Sequence, residues 1–561
     1  KRHARADEFD DIHTCADFLD HLICNSAGHR RQLFNHRGHR EHRGFWEGMS
    51  LPCQILTFFL PKQRVRLTRI GFTIACVTPD GGIASVLQKR MIKIRGGMFT
   101  RKVRVLITVC LAVLGITGAA CAETLPKYIF LFIGDGMGST HVWAAECYFK
   151  DAQIQRGLAA EKIAGLTMLT LPMRGRATTF AKDSVVTDSA ASATAFSSGY
   201  KTDNGVLNID PKTGRKFDVM SQFVKRHGMR VSIISSAAPN HATPAAFYAH
   251  VEDRDMYPEI AMQLAASGLL DYVGGPTMLD VADTAAKATD AKAREAALKN
   301  GYTIVEDRQC FDALKPGAQR IWVRSDMPMV IDGKHEIPLA EHVSKAIELL
   351  AGPEGFFMMV EGAAIDWASH TNDGAALVQE VLEFDRAIAR AVEFYRTRPD
   401  EVLIVVTADH ECGGLSLDEG RLNAPGMSKI LEGQKKSRNT SAEMFEKFEK
   451  GKVSFDAALP QMKAFFGIQN LSDEEQAECR KIFNEGGNEQ GEHSYGDERR
   501  ISLFWSRLVS TRAGIIWGCL DHTAAPVPVY AVGAQAARFA GNTDNALIGR
   551  YIRDLISERK K

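Results

Sequence analysis

Short apolar runs that stop abruptly at glycine or an acidic residue constrain this chain more than any other feature. YIFLFIGDGMG ends at Gly134-Asp135-Gly136, the pattern of a parallel strand buried on both faces that delivers a residue at its carboxyl end. MRVSIISSA, FFMMVEG, EVLIVVTADH and PVPVYAVG repeat the pattern, bounded by Gly, Pro or polar residues. Helical stretches lie between them. In ALVQEVLEFDRAIARAVEFY, residues Leu377, Val381, Leu382, Phe384, Ile388 and Val392 approximate a 3.6-residue period. The alternation predicts an α/β fold with a mostly parallel central sheet, helices on both faces, and functional residues beyond the carboxyl ends of the strands.

The 561 residues, 45% of them hydrophobic, suffice for a large core. The formal charge of +1 hides an asymmetry, because residues 1–122 carry 19 Lys and Arg against 9 Asp and Glu, and residues 123–561 carry 50 against 59. An acidic main domain repels a polyanionic backbone, which argues against nucleic acid as a partner. Residues 98–122, MFTRKVRVLITVCLAVLGITGAACA, have a basic start, a short apolar run and Ala120 and Ala122 at A-x-A spacing. They are expected to be an export signal cleaved near Ala122, giving a periplasmic or secreted protein. The run is short for a bilayer span, so no stable membrane anchor is expected; a lipoprotein anchor at Cys121 is the weaker alternative, since the preceding residues lack the usual Leu. Residues 1–97 start with Lys, are crowded with Arg and with seven His at no ligand spacing, and precede the signal, so they are expected to be an upstream non-native segment. The main domain is expected over 123–561, with insertions at about 276–335, Ala/Lys/Asp-rich and helical, and at about 415–510, polar and charged like a solvated lid or dimer-facing excursion. Its cysteines, Cys147, Cys310, Cys412, Cys479 and Cys519, are odd in number, so at least one is unpaired or shared between chains.

Metal-type ligands cluster where the strands are expected to end: Asp135; Glu361 followed by Asp366 and His370; Asp409 with His410; and His522. A lone Asp after a strand is commonly a helix cap and a lone His a satisfied polar group, but their joint presence points to a metal site. Asp366 and His370 stand at i, i+4, which on a helix places a carboxylate and an imidazole on one face, a mixed donor pair suited to zinc. In VVTDSAASATAFSSG, Asp188 and Ser189 open a run of small helix-compatible residues. Ser189 is therefore either a nucleophile at a helix start, where free N–H groups and the helix dipole favour a bound phosphate, or part of a plain helix cap.

IGDGMG, TDSAASATA, HATPAAFYAHVEDRD, VEGAAIDWASH, TADHE and the late DHT stand in an order that resembles the alkaline phosphatase family, from Tyr128 to about Ile552. The resemblance implies a homodimeric phosphomonoesterase that is transiently phosphorylated on Ser189. It implies a first zinc on Asp366, His370 and His522, a second on Asp135, Asp409 and His410, and a magnesium on Asp135, Thr243 and Glu361. It also implies that Arg254 grips two phosphate oxygens, a bidentate task suited to its planar fork. The substrates would be small-molecule phosphate monoesters. Two positions depart from the best-studied bacterial members: His241 stands in place of an Asp near the magnesium, and Trp367 in place of a Lys near the phosphate. Animal and marine bacterial members share the His, and some marine ones the Trp. Such a His can hold a hydration water or favour zinc in the third site, and Trp367 has a packing reading beside its functional one. A phosphodiesterase of the same scaffold and a non-catalytic exported metal or phosphate binder are the competing functions. A sulfatase is disfavoured because Ser189 lacks the C/S-x-P-x-R setting that such enzymes need.

Overall fold

The computed structural model describes residues 124–280, 283–318, 320–418, 426–488 and 497–559, together with a short antiparallel pair, Ala75–Val77 with Ile83–Ser85. The export signal, Cys121 and the rest of the expected upstream segment lie outside the described residues. The chain divides into two compact units, Lys1–Gly115 and Ile116–Lys561; the antiparallel pair belongs to the first, and all that follows concerns the second.

Ten strands form one sheet: β1 (Tyr128–Gly134), β2 (Met173–Thr178), β3 (Arg230–Ser235), β4 (Tyr272–Gly275), β5 (Thr303–Val305), β6 (Ile321–Arg324), β7 (Phe356–Gly362), β8 (Val402–Ala408), β9 (Val527–Gly533) and β10 (Gly541–Asp544). Their spatial order is β10-β2-β9-β8-β1-β7-β3-β4-β6-β5. Only β9 runs against the others. The apolar runs read from the sequence are the central strands, and β1, β7 and β8 are buried along their whole length. The expected α/β fold with a mostly parallel sheet is the fold observed.

Register decides where the chemistry sits. Gly134 pairs with both Gly362 and Ala408, and Ser235 pairs with Glu361. The four strands β3, β7, β1 and β8 thus end at one height, and Asp135, Glu361 and Asp409 emerge side by side. Reversal of β9 brings its amino end to the same edge, which is how His522, just upstream of β9, reaches it. His522 was expected at a strand end; it precedes its strand rather than following one.

Helices used below are α1 (Ser139–Gln155), α2 (Ser189–Ser198), α3 (Asp283–Lys299), α4 (Ala364–His370), α5 (Gly374–Thr397), α6 (Arg438–Lys450), α7 (Phe455–Phe466), α8 (Asp473–Glu485), α9 (Arg500–Arg512) and α10 (Asn545–Glu558). All the periodic residues of α5 but the half-buried Leu382 lie in its buried stripe, and Phe384 meets Phe132 edge to face at a centroid distance of 5.9 Å. Burying such a ring contributes roughly 1.5–3 kcal/mol. The 276–335 segment contains the expected helix, α3, and also β5 and β6, strands too short to show a period. The 415–510 segment includes α6 to α9 with most of its charges outward, Arg438 and Asp497 excepted, and its largest aromatics inward: Phe445, Phe466 and Trp505 are fully buried, and Phe466 stacks on Trp505 at 5.6 Å. Among the described residues, no helix is long and apolar enough to cross a membrane.

Candidate active site

The residues named from the sequence converge at the carboxyl edge of the sheet. α4 places Asp366 and His370 on one face, with His370 Nε2 3.3 Å from Asp366 Oδ2. His522 Nε2 lies 3.6 Å from Asp366 Oδ1 and 3.1 Å from His370 Nε2. The two rings are oriented by backbone carbonyls, Leu520 O at 2.6 Å from His370 Nδ1 and Thr187 O at 2.9 Å from His522 Nδ1. A carbonyl only accepts, so each Nδ1 carries the proton, which leaves each Nε2 to present a lone pair whenever its ring is neutral. Asp366 raises the proton affinity of His370, so either a proton or a bound cation can occupy the space between the two nitrogens, and the two rings and the carboxylate converge on it. Orientation of ligand imidazoles by such acceptors is the usual support of a metal site.

Asp135, Asp409 and His410 form a second group, with His410 Nε2 3.3 Å from both Asp135 Oδ1 and Asp409 Oδ2. Asp409 Oδ1 is held in place by the N–H groups of Gly136, at 3.1 Å, and His410, at 3.0 Å. Asp135, His241 and Glu361 form a third. There Ser235 donates its hydroxyl proton to Glu361 Oε2, and Thr243 Oγ1 lies 3.4 Å from Asp135 Oδ2.

Several of these atoms, Asp135 Oδ1, Glu361 Oε1, Asp366 Oδ1 and Asp409 Oδ2, are buried with no hydrogen-bond partner. An unmatched buried carboxylate oxygen is costly, and four facing one space fit a multi-cation centre. The same crowding moves their proton affinities. Burial, then repulsion from Asp409, Asp366 and Glu361, raises Asp135 well above the ordinary carboxylate range. Burial pushes Glu361 up to about 7 and, with repulsion from Asp366, Asp409 up to about 6. Asp366 goes the other way: burial opposes its charge, but His370, His522 and His410 overcome that and hold it low. Burial lowers His410 to about 4 and His522 to about 3, so both stay neutral and able to bind a metal.

Ser189 is the first residue of α2, whose amino end Asp188 caps by accepting the Ala191 N–H at 2.9 Å. The capping role falls to Asp188, and Ser189 Oγ points inward to 3.4 Å from His410 Nε2. Arg254 is anchored by Asp188 at 3.1 Å and lies 3.3 Å from His241 Nε2. Burial, then the Arg254 charge, lowers His241 to about 3, so this imidazole is neutral. Trp367 is half-buried and meets the His241 ring edge to face at 6.3 Å.

Two contributors escaped the sequence reading. Cys412 Sγ is within 4.8 Å of the ligand atoms of Asp366, His370 and His522 and is fully buried. Its position two residues after His410 was the available signal, which a count of cysteines for disulfides does not weigh. Gly136 is the other. It has φ +70°, and a Cβ there would meet Asp366 Oδ1 at 2.7 Å and its Cα at 2.9 Å. Gly136→Ala is expected to cost about 2 kcal/mol or more and to splay the first ligand group, read as a lower thermal midpoint together with weaker metal retention.

A buried carboxylate and imidazole cage at the carboxyl edge of a helix-covered sheet, with a hydroxyl and a guanidinium at its mouth, defines a metal-dependent hydrolase of the phosphoryl-transfer kind. The family profile for alkaline phosphatase matches residues 126–273 and 276–557, and the chain belongs to that family and is an alkaline phosphatase enzyme. Alkaline phosphatase 3 of Bacillus subtilis is 29% identical over 439 residues, covering 76% of this chain and 88% of that protein. Alkaline phosphatase of Escherichia coli K12 is 31% identical over 361 residues, covering 54% and 74%. Among solved structures, a cold-active alkaline phosphatase from Shewanella sp. superimposes with a TM-score of 0.62 at 27% identity, covering 76% of this chain and 99% of that one.

Proposed function

We propose that the enzyme hydrolyses phosphate monoesters to an alcohol and inorganic phosphate through a phosphoserine at Ser189. The observation that carries this reading is a hydroxyl 3.4 Å from a ligand imidazole, at the positive end of a helix, with Arg254 nearby on the same wall. Asp366, His370 and His522 would hold one zinc, and Asp135, Asp409 and His410 a second. Asp135, Thr243 and Glu361 offer oxygens suited to magnesium, while the His241 nitrogen shifts that position toward zinc. Bound there, the ions would supply charge that favours the serine alkoxide and the departing alcohol.

The chain's own groups do the rest. Ser189 Oγ attacks phosphorus as the ester P–O bond breaks, and the free N–H groups at the start of α2 face the phosphoryl oxygens. Arg254, steered by Asp188, pairs with two of those oxygens through its fork. Burial excludes bulk water, which strengthens these interactions until hydrolysis of the phosphoserine frees Ser189. His241 and Trp367 mark the active-site variant in which a neutral ring and an indole stand where other members carry charge, which eases phosphate release.

The same reading takes the chain from Glu123 onward as the mature enzyme, exported and homodimeric, with residues 98–122 as its signal. Arg254→Ala is expected to lower kcat/KM for a phosphate monoester by about 10²-fold, with a much smaller effect on any diester turnover. Equal activity of the purified enzyme on monoesters and diesters at alkaline pH would overturn the assignment in favour of a phosphodiesterase.

A further inference from the structure

We infer that the helical layer α6 to α9 acts as a clamp on His370, so that the buried side chains Arg438 and Asn372 and the half-buried Arg507 are positioning residues for the first metal site. The inference rests on the zinc assignment to Asp366, His370 and His522.

The turn Thr371-Asn372-Asp373 follows His370 directly and joins α4 to α5. All three residues are buried, and Asn372 has φ +49°, a left-handed conformation that asparagine tolerates better than most residues. A buried turn of this kind needs partners for its polar groups, and the helical layer supplies them. Arg438 Nη1 donates to Thr371 O at 3.1 Å, and the Ser506 hydroxyl donates to the same oxygen at 3.2 Å. Arg507 Nε donates to Asn372 Oδ1 at 2.9 Å, and the Ser510 hydroxyl to Asn372 O at 3.2 Å. Gln434 Nε2 reaches both carboxylate oxygens of Asp373 at 2.9 Å, and the Arg438 N–H donates to one of them at 2.7 Å.

Arg438 is 3% exposed and is itself fixed by Ser502 Oγ at 3.0 Å and Asp497 O at 2.5 Å. A buried guanidinium with this many acceptors costs too much desolvation to serve solubility. What it holds is the carbonyl next to a metal ligand. The link continues to the other imidazole: Asn372 Nδ2 donates to Ser369 O at 2.8 Å and to Cys519 O at 2.9 Å. Cys519 precedes Leu520, whose carbonyl orients His370, and Asp521 and His522 follow. One asparagine, gripped by Arg507, therefore ties the segments carrying both zinc-binding imidazoles. Positioning shells of this kind typically change metal affinity by about 10–100-fold when removed.

The test is zinc release from the loaded full-length enzyme to a chromogenic chelator, with the thermal midpoint of each metal-stripped protein recorded alongside. Asn372→Gly keeps the left-handed turn and deletes its three side-chain hydrogen bonds, and Arg507→Met removes one grip at a half-buried site. Both are expected to speed one zinc-release phase by about 10-fold or more and leave the other phase unchanged. Excess zinc should restore kcat, and Arg438→Lys should fall between wild type and Arg438→Met. Release at the wild-type rate in folded variants overturns the clamp, as does an equal acceleration of all phases in step with a lower metal-free midpoint, which marks a general packing role. Zinc content in the His370→Ala variant equal to that of the wild type sinks the zinc assignment itself and the clamp with it.

Discussion

Ser189→Ala is expected to lower kcat/KM for a phosphate monoester by at least about 10³-fold and to abolish phosphate labelling of the protein, with the metal content unchanged. The variant isolates one atom. α2 keeps its cap because Asp188, not Ser189, accepts the Ala191 N–H. Alanine also suits a helix start flanked by Ala190 and Ala191 and leaves the ligands of all three groups in place. What disappears is the oxygen 3.4 Å from His410 Nε2. Rapid-quench labelling and metal analysis on the same preparation check the outcome. Near-normal turnover would remove Ser189 from the chemistry and leave a direct attack by water.

The second large effect concerns metal and pH together. Removing the ions is expected to abolish activity and to leave a protein whose stability falls as pH rises from about 6.5 to 8, above the range in which the cage imidazoles titrate in the unfolded chain. The sign follows from the carboxylates. Burial holds Glu361 up to about 7 and Asp409 up to about 6, above their ordinary values of 4.5 and 3.8, whereas the buried imidazoles His410, His522 and His241 are held at about 3–4 and oppose that trend up to their unfolded value of 6.5, so the carboxylates set the sign above about pH 6.5. Their contribution is fully present below the unfolded pKa and is lost as pH climbs through the folded one. For Glu361 alone the change is on the order of 3 kcal/mol. Bound cations reverse the preference by favouring the charged form. The thermal midpoint gained on adding zinc and magnesium should therefore be larger at pH 8 than at pH 5. A gain that is constant across this range would show that the carboxylates are not the ligands.

How much of this was legible in the sequence depends on the distance over which each signal acts. β1, β7 and β8 were plain because buried strands need continuous apolar residues, and Asp135 and Asp409 followed because each is the first residue past such a run. The pairing of Asp366 with His370 needed only helical spacing. β5 and β6 were not legible, since three or four residues show no period and their place at the sheet edge comes from tertiary pairing. The fully buried aromatics of 426–512 were masked by the charges between them, which average to a polar segment until the helices sort them by face. Arg438 was invisible for a different reason. Its partners, Thr371 in one stretch and Asp497 and Ser502 in another, lie some sixty residues away on either side, and nothing local distinguishes a clamping arginine from a solvated one.

The reversal of β9 has a consequence for the order in which the cage is completed. A polypeptide made from its amino end presents Asp135 early, then Glu361, Asp366, His370, Asp409 and His410, and only much later the imidazole that enters from the wrong-way strand. A nascent chain that stops before His522 has the Asp366 carboxylate, the His370 ring and the Cys412 thiol where the first ion belongs, one donor short of the full group. A metal ion at that position is thus a certificate that synthesis has passed His522, and a product shortened ahead of it by proteolysis or premature termination is expected to load poorly.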